Sequence, residues 1–465
     1  MSSSLRSSGS GDVSTAIGAD VLSITELREI SDVPSQLRMR QWVSIALSVF
    51  VIIAAFCTYQ SYRFVANTVG KDTVPSIIAA EQIRSGLANA HTQIANLFLL
   101  KEEIDGPSGR AYVAAINQAH DDLLSASQNI TFGDEERKPI LSAMKQLSEY
   151  ERLVGMAMVS KYPHDLILKA DGLMREHLLP SVTGLDQVNF KHLTESYTNE
   201  LETARRYFIG FLLLSVLLVI VMLETQVKLY REFKRILNPA MLLGLTVFLA
   251  STFLMMVQIN KLTSELRTAK ADAFDSVHAL SLAQAIAYSA NAQESIFLLM
   301  NNKEIQTQQT TLFMGQANQI FTSKMGAASA LIANPKDLKG RGFLGDELAN
   351  ITFPGEHQAA ADSLKAWVDY VAIDTQIRHL ENTGQHDRAV ALCIGKLENQ
   401  SDWAFDRFIS ALNKTIKINQ TAFDEAISKA MAILKTMSFL LVFLFFAPLA
   451  GTVIGIQQRL VEFRE

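Results

Sequence analysis

Asp275 and His278 stand three residues apart in a stretch with helical periodicity, which puts a carboxylate and an imidazole on one helix face. Such a pair can hold a polar ligand or a partner group, or it can be a structural or solvated ion pair. The positions around it are small (Ala269, Ala273, Ala283, Ala287 and Ala290), so a second helix can approach closely. No third ligand at matching spacing accompanies the pair, so the sequence does not point to a metal. Arg84 is the best-placed cation in the first half for an anionic ligand; a solvated helix face explains it equally well. Glu294, just before Phe297-Leu298-Leu299, reads as a surface group. Asn419 interrupts an apolar heptad stripe and reads as a residue that fixes register. Trp367 and Trp403 read as core or interface anchors. The sequence holds no G-x-x-x-x-G-K-[ST], H-E-x-x-H, G-x-S-x-G or C-x-x-C. It therefore predicts a protein without catalytic residues, cofactor or metal.

These residues must be positioned by elements tied to a membrane. Four stretches carry no Asp, Glu, Lys or Arg: 22 residues between Arg40 and Arg63, 17 between Arg206 and Glu224, 25 between Arg235 and Lys261, and 23 between Lys435 and Arg459. Each is long enough to cross a bilayer as a helix, which takes roughly 20 residues. With no charge inside, the spans offer nothing for ion or proton translocation. The net charge of −5 and the lack of a basic stripe give no nucleic-acid signal. The two cysteines, Cys57 in the first span and Cys393 near the last outer helix, are not placed to pair.

The long segments between spans read as helical bundles. Ile83, Leu87, Ala90, Ile94 and Leu97 form one helical stripe. Phe405, Ile409, Leu412, Ile416, Asn419, Phe423, Ala426, Ala430 and Ile433 form another that runs toward the last span. Breakers at Asp105-Gly106-Pro107, Thr131-Phe132-Gly133 and Tyr162-Pro163 predict helices over 75–103, 108–128, 134–158 and 163–205. In the second segment the prediction is 259–303, 307–333, 357–382 and 386–435, with a loop and a short helix from Asn334 to Gly355. Phe98-Leu99-Leu100 recurs as Phe297-Leu298-Leu299, Asn129-Ile130-Thr131-Phe132 as Asn350-Ile351-Thr352-Phe353, and Glu149-Tyr150 as Asp369-Tyr370, in the same order. An internal duplication follows.

The predicted fold is an all-α membrane protein: four transmembrane helices with two duplicated extracytoplasmic four-helix bundles. The divisions are a cytoplasmic tail with a short amphipathic helix (1–40), span one (41–62), bundle one (63–206), span two (207–223), a cytoplasmic loop (224–235), span three (236–259), bundle two (260–435), span four (436–458) and a tail (459–465). Arg38, Arg40, Lys228, Arg231, Lys234, Arg235, Arg459 and Arg464 place both termini and the middle loop in the cytoplasm, against outer flanks carrying Arg63, Lys71, Arg205, Arg206, Lys261 and Arg267. The first span reads as a retained anchor, since about 40 mostly polar residues precede it. Ser23 and Glu26 form a capping box for a helix with Ile24, Leu27, Ile30 and Val33 on one side, ended by Pro34. Ile24, Leu27, Ile30, Lys228, Arg231, Lys234 and Arg235 are thus the candidate cytoplasmic contacts. Pro448 predicts a kink in span four, either a hinge or inert architecture.

By layout the chain resembles sensors with four-helix-bundle modules, such as chemoreceptors and sensor kinases, but without an output domain. A closer resemblance, to actinobacterial four-span membrane proteins of the GlnX type, rests on two stretches. They are Lys270-Ala-Asp-Ala-Phe-Asp-Ser-Val-His-Ala-Leu280 with Ala287-Tyr-Ser-Ala-Asn291, and Glu347-Leu-Ala-Asn-Ile-Thr-Phe-Pro-Gly-Glu356. That resemblance implies a relay for external glutamate or aspartate, a solute-binding lipoprotein on the outer face, and a cytoplasmic Ser/Thr kinase G or its adaptor. It supplies no residue-level motif, so Arg84, Asp275 and His278 stand on position and chemistry alone. The inner loop and the tail are too short for a kinase or cyclase, so output would pass through a partner. The expected function is a transmembrane signal transducer in the plasma membrane, in contact with lipid and its partners or a second copy of itself. The alternative is an envelope structural or assembly protein that does not switch.

Overall fold

The structure is a computed structural model describing residues 13–233, 238–322 and 335–461, with side chains from Ser35 onward except those of Asp72, Glu232, Phe233, Pro335, Lys336 and Arg459. The side chains of Ile24, Leu27 and Ile30, and all of Lys234 and Arg235, lie outside the described residues. The described residues are all-α and form two compact units.

The first unit comprises Met1–Arg63, Glu200–Leu262 and Ala432–Glu465. It holds most of α1 (Val13–Asn67), the end of α6 (Leu179–Phe233), most of α7 (Pro239–Arg267) and the end of α13 (Ser401–Val461). Its four helical segments are long and apolar enough to cross a membrane. Trp42, Phe50, Leu213, Val216, Leu243, Phe253, Phe439 and Phe446 stay exposed, the surface a lipid-facing helix presents. The protein is therefore consistent with a multi-pass membrane protein. Within this unit Gly244 of α7 meets Gly451 of α13 so closely that a Cβ on Gly244 would lie 2.6 Å from the Ala447 carbonyl oxygen. This is small-residue packing between membrane helices. Asn238 caps α7 through Ala240 N and Met241 N, donates to the Gly455 carbonyl at 2.8 Å, and exchanges two hydrogen bonds with Gln226. Pro448 lies inside α13 without ending it, and α1 runs through Pro34, so Pro34 does not terminate the expected short helix.

The second unit comprises Phe64–Asn199 and Thr263–Met431. Its first half contains α2 (Thr73–Leu100), α3 (Pro107–Gln128), α4 (Asp134–Val159), α5 (His164–Leu173) and the start of α6. Its second half contains α8 (Asp275–Leu299), α9 (Lys303–Ile320), the short α10 (Phe343–Ala349), α11 (Glu356–Asn382), α12 (His386–Cys393) and the start of α13. The expected final helix over 386–435 is two helices, because the chain turns through Gly395 and Asn399, the latter at φ 66°. The expected helix over 307–333 corresponds to α9 (Lys303–Ile320), and its part over 323–333 lies outside the described residues.

Among the described residues, three π-helical turns interrupt the long helices: Thr68–Asp72 before α2, Met174–Leu178 before α6 and Thr268–Phe274 before α8. Each half has its own apolar core: Leu87, Ile94, Leu123, Leu147 and Tyr150 in the first, and Phe313, Leu364, Trp367, Tyr370 and Phe408 in the second. A small cluster of Ala95, Ala157, Ile167, Ile296 and Met300 joins them. The principal contact between halves is α2 against α8.

Candidate functional site

The seam between α2 and α8 is polar. On α2 the stripe Ile77, Glu81, Arg84, Ala88, His91 and Ala95 has helical spacing and is buried throughout. It lies beside the apolar stripe Ile83, Leu87, Ala90, Ile94, so α2 is buried on two faces. One face fills its own core; residues of the other, with their neighbours, bond across to α8. Ser85 Oγ donates to Gln284 Oε1, Thr92 Oγ1 to the Tyr288 carbonyl, and Ser295 Oγ to Asn96 Oδ1.

At one level of the seam α2, α6 and α8 bring together Glu81, Arg84, Asp186 and His278. His278 Nε2 lies 3.1 Å from Asp186 Oδ1 and 3.4 Å from Glu81 Oε1. Arg84 Nη2 lies 2.6 Å from Glu81 Oε2, and Nη1 lies 3.6 Å from Asp186 Oδ2. Phe190 stacks on the His278 ring with centroids 4.5 Å apart and planes 15° apart, which fixes the ring plane. Burial, opposed by Arg84, raises the Glu81 carboxyl to about 7. Glu81 also lines a cavity of about 450 Å³ with Gln82, Ser85, Gln284, Asn413 and Lys417.

Of the three outer residues singled out in the sequence, Arg84 and His278 meet in this cluster and Asp275 does not. Asp275 pairs with Lys270 at 2.8 Å and lines a separate cavity with Lys339, Asp346 and Glu347. Arg84 is 5% exposed, so a solvated face does not describe it. Among the cytoplasmic candidates, Lys228 donates to Gln36 Oε1 and Arg231 is exposed.

Two further buried clusters were missed. His91 Nδ1 lies 3.1 Å from Tyr150 Oη, while its Nε2 lies 3.1 Å from Asp171 Oδ1. Asp171 also accepts from Gln293 and Arg175. Burial pushes the Asp171 carboxyl up, but His91, Arg175 and Gln293 together hold it below its ordinary value. The other cluster gathers around Glu294, which is fully buried rather than on the surface. Cys393 Sγ and Ser401 Oγ donate to Glu294 Oε1, and Arg378 bonds Asp374 through two nitrogens at 2.8 Å each. Burial and the neighbouring Asp374 charge raise Glu294 well above the carboxylate range. Asn419, expected to set register, is buried and donates to Glu347 Oε1 at 3.1 Å, which stabilises a buried acid.

Residues 65–198 match the family model described as an actinobacterial sensor domain. The matched segment includes Glu81, Arg84 and Asp186, while His278 lies outside it. No curated protein and no solved structure matches the chain. The class defined by fold and comparison is a multi-span all-α membrane protein carrying a sensor-like domain, consistent with a signalling role.

Proposed function

We propose that this chain is a non-enzymatic transmembrane signal transducer that reports external amino-acid status, glutamate or aspartate, to a cytoplasmic Ser/Thr kinase pathway. A solute-binding lipoprotein engages the second unit outside the cell, and the kinase or its adaptor meets the inner loop and the N-terminal helix. Both termini are cytoplasmic. The two halves of the second unit are duplicated helical bundles. Thr131 N and Phe132 N bond Glu136 Oε2 just as Thr352 N and Phe353 N bond Glu356 Oε2. Gly133 and Gly355 both precede the following helix at positive φ. Cross-seam partners Ser85–Gln284 and Asn96–Ser295 are each separated by 199 residues.

The observation that carries the signalling reading is the sensor-domain match at 65–198, on a chain with four apolar windows in long helices. The polar seam supports it too. Buried ion pairs are weak contributors to stability, and their best-attested use is in registry and switching. The glutamate, lipoprotein and kinase assignments rest on the family resemblance alone.

The test is to tag the chain, crosslink in the native membrane, solubilise gently and identify what copurifies, with and without glutamate. Recovery of a solute-binding lipoprotein together with a cytoplasmic kinase or adaptor, in yields that glutamate alters, is the expected result. Recovery only of the chain itself and envelope-building proteins, indifferent to amino acids, would favour a structural role.

A further inference from the structure

We infer that Glu81, Asp186 and His278 form a divalent metal site of the transition-metal type, with Glu81 Oε1, Asp186 Oδ1 and His278 Nε2 as ligand atoms. The three residues can each offer an atom such that all lie within 4.8 Å of one another. The two separations from Nε2 are 3.1 and 3.4 Å. A tetrahedral ion with bonds of about 2.0–2.1 Å separates its ligands by about 3.3 Å, so these two atom pairs need little movement to bind. The ligands come from α2, α6 and α8, which explains why no local spacing announced them.

Three features separate this cluster from an ordinary buried salt bridge. First, Glu81 is 4% exposed, yet neither of its carboxylate oxygens has a hydrogen-bond partner. Arg84 Nη2 makes a 2.6 Å ion pair with Oε2, so Oε1 is the oxygen that Arg84 does not reach. A buried carboxylate in this condition is costly unless something else satisfies it. Second, Arg84 pairs with Glu81 Oε2 and, at 3.6 Å, with Asp186 Oδ2, while His278 Nε2 faces Glu81 Oε1 and both Asp186 oxygens, at 3.1 and 3.2 Å. A guanidinium so placed orients the ligating carboxylates from the outer shell. Third, Phe190 stacks on the His278 ring and fixes its plane, and Glu81 borders a cavity of about 450 Å³.

The donor set is two carboxylate oxygens and one imidazole nitrogen, without thiolate, which suits Zn²⁺, Mn²⁺ or Fe²⁺. With His278 neutral, the two carboxylates and Arg84 leave one net negative charge for the dication to offset. Because the site joins three helices, a bound ion would fix their mutual positions. The inference does not depend on the signalling reading.

The full-length chain, purified in detergent without a polyhistidine tag and stripped with chelator, should be titrated with Zn²⁺ and Mn²⁺ by calorimetry. One equivalent is expected to bind. Glu81→Gln, Asp186→Asn and His278→Gln should each weaken binding at least tenfold. Arg84→Gln should weaken it about 10–100-fold by releasing the carboxylates. Asp275→Asn, in the separate pair with Lys270, should leave it unchanged. Circular dichroism of each variant reports whether it folds. Where a variant does not, Cu²⁺ on the unsubstituted protein decides: coupling to an imidazole nitrogen supports the site, and the spectrum of a solvated ion overturns it. Absence of stoichiometric binding, or equal affinity in the three ligand variants, also overturns it.

Discussion

Two buried acid–arginine clusters in the second unit differ in one respect. Around Asp374, Arg378 uses Nε and Nη2 for two 2.8 Å hydrogen bonds and gives Nη1 to Thr310, while its guanidinium stacks over Phe297 and Phe313. Around Glu81, Arg84 makes close ion pairs, but its Nε and Nη2 have no hydrogen-bond acceptor and neither Glu81 oxygen has a donor. The first cluster is closed, with bidentate geometry that uses the arginine fully. The second is open on the side facing His278. Equal burial therefore does not imply equal purpose: one arrangement holds a core together, and the other keeps polar atoms available.

The largest effect separates the two directly. Arg378→Ala strands a buried carboxylate and should destabilise the protein by about 3–5 kcal/mol. Arg84→Ala should cost less, on the order of 1–3 kcal/mol, because Glu81 can take up a proton near neutral pH and His278 still faces Asp186. Chemical unfolding in detergent, followed by circular dichroism, measures both. Equal losses would mean that the open cluster is as structural as the closed one.

A membrane-side contrast comes next. Gly244→Val forces a side chain against the Ala447 carbonyl and the Gly451 backbone, neither of which can swing away. It should cost about 1–3 kcal/mol through overpacking. Gly210→Val in α6, where a Cβ meets nothing, should be near neutral. A harmless Gly244→Val would show that α7 and α13 do not pack this way.

The pH response tests the buried acids. Burial, with the Glu356 charge, raises Glu347 from 4.5 to about 7 against hydrogen bonds from Ser276 and Asn419. A carboxyl raised on folding binds its proton more tightly in the native state. Its contribution is thus complete below pH 4.5 and lost as pH rises through 7. Glu81, raised to about 7, and Asp402, raised to about 6, act in the same direction. Stability should fall between about pH 4 and 7 and level off above, and Glu347→Gln should remove on the order of 1–3 kcal/mol of that fall. An unchanged slope in Glu347→Gln would show that Glu347 ionises normally.

The smallest effect belongs to Asp275. Its pair with Lys270 is more than a third exposed on the aspartate side, so Asp275→Asn should change stability by less than about 1 kcal/mol. A larger loss would give this pair a role the geometry does not suggest.

Much of the helical layout was legible because it is local. Gly106-Pro107 starts α3 and Gly133 precedes α4, as the breakers predicted, and α11 ends at Asn382 as expected. The turn at Gly395 was missed because the heptad pattern beyond it hid a helix of only eight residues, His386–Cys393. Glu294 was misread although its own spacing placed it: it continues the stripe Ala283, Ala287, Ala290 by four residues, all buried. Glu81 and Arg84 gave the same signal, two charges i,i+3 on a stripe with Ile77 and Ala88. Charge outweighed periodicity in the sequence reading, whereas burial of two faces of α2 decided the structure.

By itself the sequence determined the four charge-free windows, the all-α character and most helix limits, since hydrophobicity, periodicity and breakers act within a few residues. Only the tertiary structure decided that His278 turns to Asp186, 92 residues away in the chain, rather than to Asp275 three residues away. Side-chain partners in a packed seam are chosen by which helices meet and at what height. That choice depends on the burial of whole faces at once, and no local pattern encodes it.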